Sequence, residues 1–220
     1  MIYLYPTMIP SDTFKTIHLP ATGIYKEKGS SFISYIYPLL DESKTKPILA
    51  ELKKEHAKAR HICYAYQWGP DPDYTRHQDD GEPSGTAGKP ILGQIRSHQL
   101  ENVLLAVVRY FGGTLLGASG LGTAYKSAAL DAIQHGEIIT LSRNVYFKLT
   151  YSYPMEKYLV SWITKMDGLA LEKAYAEQIS SVICFPISTK EMILPSLDRH
   201  HTEYQWPEQI QCEYLREDPY

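Results

Sequence analysis

The sequence predicts a two-domain α+β protein. Three observations carry this. A long apolar strand runs into a glycine-rich segment and then an alanine-striped helix. The hydrophobic periodicity changes after Gly136. Beyond that change the elements read in the order β-α-β-β-α-β, which is the ferredoxin-like motif.

The elements follow in order. "TFKTIHL" and "SSFISYIYPL" alternate apolar with polar residues, and "KEKGS" between them supplies turn chemistry, so the region reads as strands joined by a loop. "DESKTKPILAELKKEHAKAR" is a helix with Ser43 or Thr45 as cap, Pro47 in its first turn, and Ile48, Leu49 and Leu52 on one face. "HICYAYQW" alternates strictly: Ile62, Tyr64, Tyr66 and Trp68 share one side, and His61, Cys63, Ala65 and Gln67 the other. "LLAVVRY" is a continuous apolar run, as in a strand buried on both faces. Then Leu121, Ala124, Tyr125, Ala128, Ala129, Ala132 and Ile133 recur at helical spacing up to Gly136, and the alanines let this helix lie close on a sheet.

In the second pattern, "NVYFKLTYSY" is a strand with Val145, Phe147, Leu149 and Tyr151 inward. "PMEKYLVSWITKMDG" is a helix opened by proline and closed by glycine. Two strands with a turn near Glu177 follow. Next comes a helix opened by a Ser188–Glu191 capping box and shortened or kinked by Pro195. "EQIQCEYLR" is the last strand. The expected domains are 1–138 and 139–220.

Composition narrows the function classes. The 220 residues are 44% hydrophobic and 21% charged, ordinary values for a globular protein. No apolar run approaches the roughly 20 residues of a membrane span, and the first residues lack the basic and small-residue marks of a signal peptide. Met8 is a second candidate start. Three widely spaced cysteines, Cys63, Cys184 and Cys212, fit reduced thiols in a cytoplasm better than a disulfide framework. Residues 1–140 carry 14 Lys/Arg and 14 Asp/Glu, and residues 141–220 carry 8 and 11. Neither half has the basic excess that drives nonspecific polyanion binding. A nucleic-acid contact therefore needs a local patch, with Lys26, Lys28, Lys44, Lys46, Lys53, Lys54, Lys58 and Arg60 as candidates; a solvated helix face is the plainer reading of the same residues.

The segment "RHQDDGEPSGTAGKPIL", residues 76–92, is acidic and glycine-rich at once. Thr86 is the expected cap of a helix reaching His98, so the backbone N–H groups around Ser84–Gly88 are presented at its positive end, where they are expected to meet an anion. The same physics is expected at "GGTLLGASGLGTAYKSA", where Gly120, Gly122 and Thr123 precede the alanine-striped helix. The candidate ligand site is thus Arg76, Asp79, Asp80, Glu82, Ser84, Gly85, Thr86, Arg109, Tyr110, Gly112, Gly113, Gly120 and Gly122, taking a phosphate-bearing ligand. Asp79, Asp80 and Glu82 are hard oxygen ligands for Mg²⁺ should a metal be present. Arg109, ending a buried strand, needs a partner, and Asp79 or Asp80 is the expected one. His61, Cys63 and His77 match no standard zinc spacing. Cys63 with His61 on one strand face has nucleophile geometry, but a half-buried structural cysteine explains it more simply.

"KGSSFI", "HICYAY", "RHQDDGEPSGTAGKPIL" and "VVRYFGGTLLGASGLGTAYKSAA" occur in this order at a spacing that resembles the YigZ/IMPACT family. The resemblance implies an N-terminal domain of the ribosomal-protein S-five/GHMP-kinase superfold. It implies a ferredoxin-like C-terminal domain similar to the last domain of elongation factor G. It further implies a link to translation regulation, with RNA or ribosome-associated factors as partners. The eukaryotic members' extra N-terminal partner-binding domain has no counterpart in this sequence. The family supplies no catalytic residues, so a binding protein is expected ahead of an enzyme. "SGLGTAYKSAA" looks like the phosphate loop of GHMP kinases but lacks their paired serines. The alternative is an enzyme or binding protein for a phosphorylated small molecule in the acidic–glycine cleft.

Overall fold

In the computed structural model, residues 11–69, 74–197 and 210–217 are described, the stretches 194–197 and 210–217 by their backbone only; Met8 lies outside them. The chain divides into two compact units, one spanning Phe14–Leu141, the other beginning at Ser142 and including the segment just before Phe14. No helix among the described residues is long and apolar enough to cross a membrane.

The first unit is built on a five-stranded antiparallel sheet. Its strands are β2 (Ala21–Glu27), β3 (Ser30–Pro38), β4 (His61–Gln67), β5 (Thr75–Gln78) and β6 (Val103–Tyr110), in the order β2-β3-β6-β4-β5. A separate two-stranded sheet joins β1 (Thr13–Ile17) to β7 (Ile138–Ser142). Strand β2 is an element that the sequence reading placed in a loop. It pairs with β3 through a two-residue turn in which Lys28 and Gly29 both have positive φ, as a primed hairpin turn requires.

Central strand β6 is buried along Val103–Arg109, as its unbroken apolar run predicts. One face of the sheet is covered by α2 (Gly88–Ser97) and α3 (Gly117–His135), packed on Phe32, Ile36, Cys63, Ala65, Leu105 and Val107. Helix α1 (Thr45–Glu55) covers the opposite face through Ile48 and Leu49, against Leu39, Tyr66 and Leu104. The buried positions of α3 are the seven read from its periodicity. The close seat expected of the alanines depends on Gly23 as well: a Cβ there would lie 2.4 Å from Ala132 N. Asp131 Oδ2 accepts from Ile24 N at 2.8 Å, and Ser34 Oγ donates to Ala128 O at 2.6 Å, which ties the helix to β2 and β3.

Three helix starts differ from expectation. Helix α1 has no side-chain cap, neither Ser43 nor Thr45; Asp41 caps the 3-10 turn Glu42–Lys44 that leads into it, accepting from Ser43 N at 2.8 Å. Helix α2 begins at Gly88, and Thr86 does not cap it; its hydroxyl donates to Pro83 O at 2.6 Å. Helix α3 begins at Gly117, so Gly120 and Gly122 lie inside its first turns and are not part of a preceding loop.

The second unit has the element order β8 (Asn144–Tyr151), α4 (Glu156–Lys165), β9 (Leu169–Tyr175), β10 (Ile179–Pro186), α5 (Lys190–Leu197) and β11 (Ile210–Glu217). Its strands lie β11-β8-β10-β9, all antiparallel, in the β-α-β-β-α-β plan. Val145, Phe147, Leu149 and Tyr151 enter the core with Leu159, Ile163, Ile183 and Phe185. The Ser188–Glu191 capping box does not form. Ser188 instead gives both its N–H and its hydroxyl to the Asp12 carboxylate, each at 2.8 Å. Pro195 sits within α5 without ending it.

Candidate functional site

Two residues adjacent in the pleat cannot share a face, and this splits the predicted site. Arg109 points to the helix-covered face, where Phe32 and Tyr125 lie. Tyr110 points to the other, where His56 Nδ1 meets its hydroxyl at 2.9 Å and His56 Nε2 meets Tyr35 OH at 2.7 Å. Arg76 also departs from the acidic loop. It pairs with Tyr66 across β4 and β5 and lines a cleft on the α1 face. The expected grouping of Arg76 with Arg109 is therefore not formed.

The three carboxylates of the acidic loop diverge. Asp79 turns to the start of α2 and accepts from Gly85 N at 2.8 Å, Gly88 N at 2.8 Å and Ala87 N at 3.1 Å. Burial pushes the Asp79 carboxyl up, but these three N–H donors outweigh it and hold the group below its ordinary value. Asp80, at φ 45°, accepts from Ile62 N at 2.7 Å, while its carbonyl receives His61 Nδ1–H at 2.8 Å. Glu82 reaches inward to Arg109 Nη1 at 2.6 Å and to Tyr125 OH at 2.8 Å.

This answers why the loop is acidic and rich in glycine. Its acids fold it: one caps a helix, one anchors a strand, and one neutralises a buried arginine. Amides of Gly85, Ala87 and Gly88 that were expected to meet an anion already hold Asp79. Arg109's expected partner, Asp79 or Asp80, is replaced by Glu82. Among the described residues no group of three His, Cys, Asp or Glu side chains converges as a cation would require, so the Mg²⁺ set does not assemble.

Around the ion pair the site is a packed network. Arg109 is 6% exposed and sits 5.6 Å from the Phe32 ring centroid and 5.6 Å from that of Phe111. Both are cation–π distances. Cys63 Sγ donates to Asp79 O at 3.0 Å and lies 3.3 Å from Tyr125 OH. Burial pushes the Cys63 thiol up to about 12, so it is a thiol at neutral pH and not a nucleophile. Tyr125, read from the sequence only as part of the apolar stripe, is the residue whose polar end completes this network. Its signal was a hydroxyl in an otherwise apolar face.

The surface over this network is where side chains are exposed. Gly112 packs so tightly on the β2–β3 turn that a Cβ would fall 1.8 Å from Gly29 C, and Gly112 N donates to Ser30 Oγ at 3.1 Å. The loop after β6 is thereby fixed, yet it presents Phe111 at 50% and Leu115 at 85% exposure. Lys28 in the β2–β3 turn, Arg60 just before β4 and Lys89 at the start of α2 are exposed on segments that open at this same end of the sheet. Gly113, at φ 87°, belongs to this loop; Ser84 and Gly85 are exposed on the acidic one.

Comparison with known proteins places these features in a family. The Impact N-terminal domain matches residues 28–133, the stretch holding the acidic loop, Arg109 and most of α3. An IMPACT family member of Haemophilus influenzae is 38% identical over 158 residues, covering 71% of this chain and 77% of that protein. The family member YigZ of Escherichia coli is 37% identical over 117 residues, which span 52% of this chain and 57% of YigZ. A solved structure described as that of a hypothetical protein aligns at a TM-score of 0.63 with 25% identity, over 93% of this chain and 98% of that one.

Proposed function

The chain belongs to the IMPACT family, and from that premise we propose that it is a cytoplasmic, translation-associated regulator that binds RNA or a ribosome-linked partner. The carrying observation is the end of the first sheet, where exposed Phe111 and Leu115 stand on the loop after β6, at the same end of the sheet as exposed Lys28, Arg60 and Lys89. An exposed aromatic ring and an apolar neighbour with cations at the same end of the sheet suit single-stranded nucleic acid, whose bases stack while its phosphates are neutralised. The protein's formal net charge is −3, so such a contact is local and salt-sensitive. A phosphorylated small molecule in the acidic loop has less support, because Asp79 occupies the amides that would hold its phosphate.

Co-sedimentation with ribosomes at two salt concentrations tests this reading. The wild-type protein is expected to travel with ribosomes at low salt and less so at high salt. A Phe111→Ala, Arg60→Glu double variant is expected to stay in the supernatant. Absence of wild-type protein from the ribosomal fraction at both concentrations overturns the reading.

A further inference from the structure

A second surface lies at the far end of β4. His61 opens that strand beside Arg109, and Tyr66 lies five positions on, roughly 17 Å away at the rise of a strand. There Glu42, Tyr66, Trp68, Tyr74, Thr75 and Arg76 line a cleft of about 220 Å³. Trp68 and Tyr74 meet edge to face at 5.8 Å, and Tyr74 is 57% exposed. Tyr66 OH donates to Glu42 Oε1 at 2.5 Å, while Oε2 of the same carboxylate takes no hydrogen bond from a described residue. Arg76 is exposed, lies beside Tyr66 and forms no ion pair among the described residues.

We propose that this cleft binds the guanine base of a nucleotide, with the exposed Tyr74 ring as the stacking face, Trp68 bounding the cleft at a right angle to it, Glu42 reading the base edge and Arg76 meeting the phosphate. The inference deepens the RNA-binding reading and rests on it.

Four features select this ligand. The cleft is smaller than the roughly 300–1,000 Å³ of drug-sized sites, so it admits one flat base and leaves sugar and phosphate outside. Its walls are aromatic, which suits a base whatever its identity. Its carboxylate is acceptor-only when ionised. Guanine alone among the four bases offers two adjacent donors, N1–H and the N2 amino group, on its Watson–Crick edge. Adenine and cytosine place an acceptor beside their amino group, and uracil flanks its N3–H with two carbonyls, so each would set a lone pair against Glu42. Finally, Arg76 beside the opening supplies a planar donor fork for phosphate and repels the methylammonium ligands that aromatic clefts with a carboxylate otherwise favour.

Calorimetric titration of the full chain with GMP, AMP, CMP, UMP and guanosine tests the assignment. GMP is expected to bind at least about tenfold tighter than the other three mononucleotides, the equivalent of about 1.4 kcal/mol. Glu42→Gln is expected to abolish that preference, and Arg76→Met to bring GMP down to the level of guanosine. Tyr74→Ala is expected to weaken GMP by about 5- to 150-fold, the range for one lost stacking partner. Equal affinities for the four nucleotides, no GMP binding at millimolar concentration, or an unchanged preference in Glu42→Gln overturns the proposal. A uridine oligoribonucleotide with one guanine, set against GMP, separates the sources. Tighter binding of the oligomer assigns the cleft to an RNA strand, and equal binding assigns it to the free nucleotide. Ribosome co-sedimentation run in parallel separates the two readings: sedimentation without GMP binding overturns the cleft alone, and GMP binding without sedimentation overturns the ribosome reading alone.

Discussion

Arg109 and Glu82 meet at 2.6 Å with both side chains almost wholly buried, 27 residues apart in sequence. Removing one member of such a pair strands the other charge, at a cost of about 3–5 kcal/mol, whereas replacing both with apolar residues of similar size is often neutral. Arg109→Met and Glu82→Leu are therefore each expected to destabilise the first unit by about that amount, measured by urea denaturation. The double variant is expected to recover most of the loss. Full additivity of the two single losses would show that they do not act as a pair.

Two glycines separate close packing from mere helix propensity. Gly112→Ala places a methyl within 1.8 Å of Gly29 C, in backbone that has no side chain to move aside. Gly93 is an interior residue of α2 and has nothing within 4 Å of its Cβ direction. Gly112→Ala is expected to lower the melting temperature sharply. Gly93→Ala is expected to leave it unchanged or raise it, by up to the roughly 1 kcal/mol that alanine gains over glycine in a helix. A harmless Gly112→Ala would show that the β2–β3 turn yields.

What the sequence made legible depended on how far apart the interacting residues lie. Helix α3 was readable residue by residue because its burial repeats every turn, and β6 because both its faces are apolar. Strand β2 was not. Its inward positions include Ala21 and Gly23, small because α3 lies directly on them, so its amphipathic pattern is faint until the helix is in place. The acidic loop showed its chemistry but not its wiring. The carboxylates were evident; which one reaches Arg109 depends on the turn of Asp80 and Gly81 at positive φ and on a partner 27 residues away. Capping of α2 by Asp79 escaped notice because the side chain lies six to nine residues before its donors, far outside the usual cap position. Arg76 and Tyr110 were grouped in one site with Arg109, whose face of the sheet the pleat denies them.

The two units are proposed to fold independently, with a protease-sensitive junction near residues 137–144. Limited proteolysis is expected to release a fragment close to 140 residues, and first cleavage within 60–130 would refute the boundary. The segment before Phe14 adds a condition. Buried Arg143 donates to Ser11 O at 2.6 Å and Thr13 O at 3.2 Å, and Asp12 holds Ser188. A fragment starting at Ser142 loses these acceptors, so it is expected to be less stable than the same fragment supplied with a peptide of residues 9–14, by thermal melting.

Asp79 gives the protein a pH dependence whose sign follows from its bonds. The ionised carboxylate accepts from three N–H groups at the start of α2, and its acid form accepts less well and brings a proton that none of those N–H groups can accept. Its folded pKa lies below the ordinary aspartate value of about 3.9. The stabilisation is therefore fully present above about pH 4 to 5 and is lost as pH falls through the lowered folded value. Asp79→Asn keeps one acceptor oxygen and removes the charge, so the variant is expected to lose about 1–2 kcal/mol at pH 7, the scale of a lost helix cap. Its deficit relative to wild type is expected to shrink between pH 5 and pH 2.5, where the wild-type carboxylate becomes protonated too. Urea denaturation of both proteins across that range measures the difference. A deficit constant with pH would mean that Asp79 acts through the shape and neutral hydrogen bonding of its side chain and not through its charge.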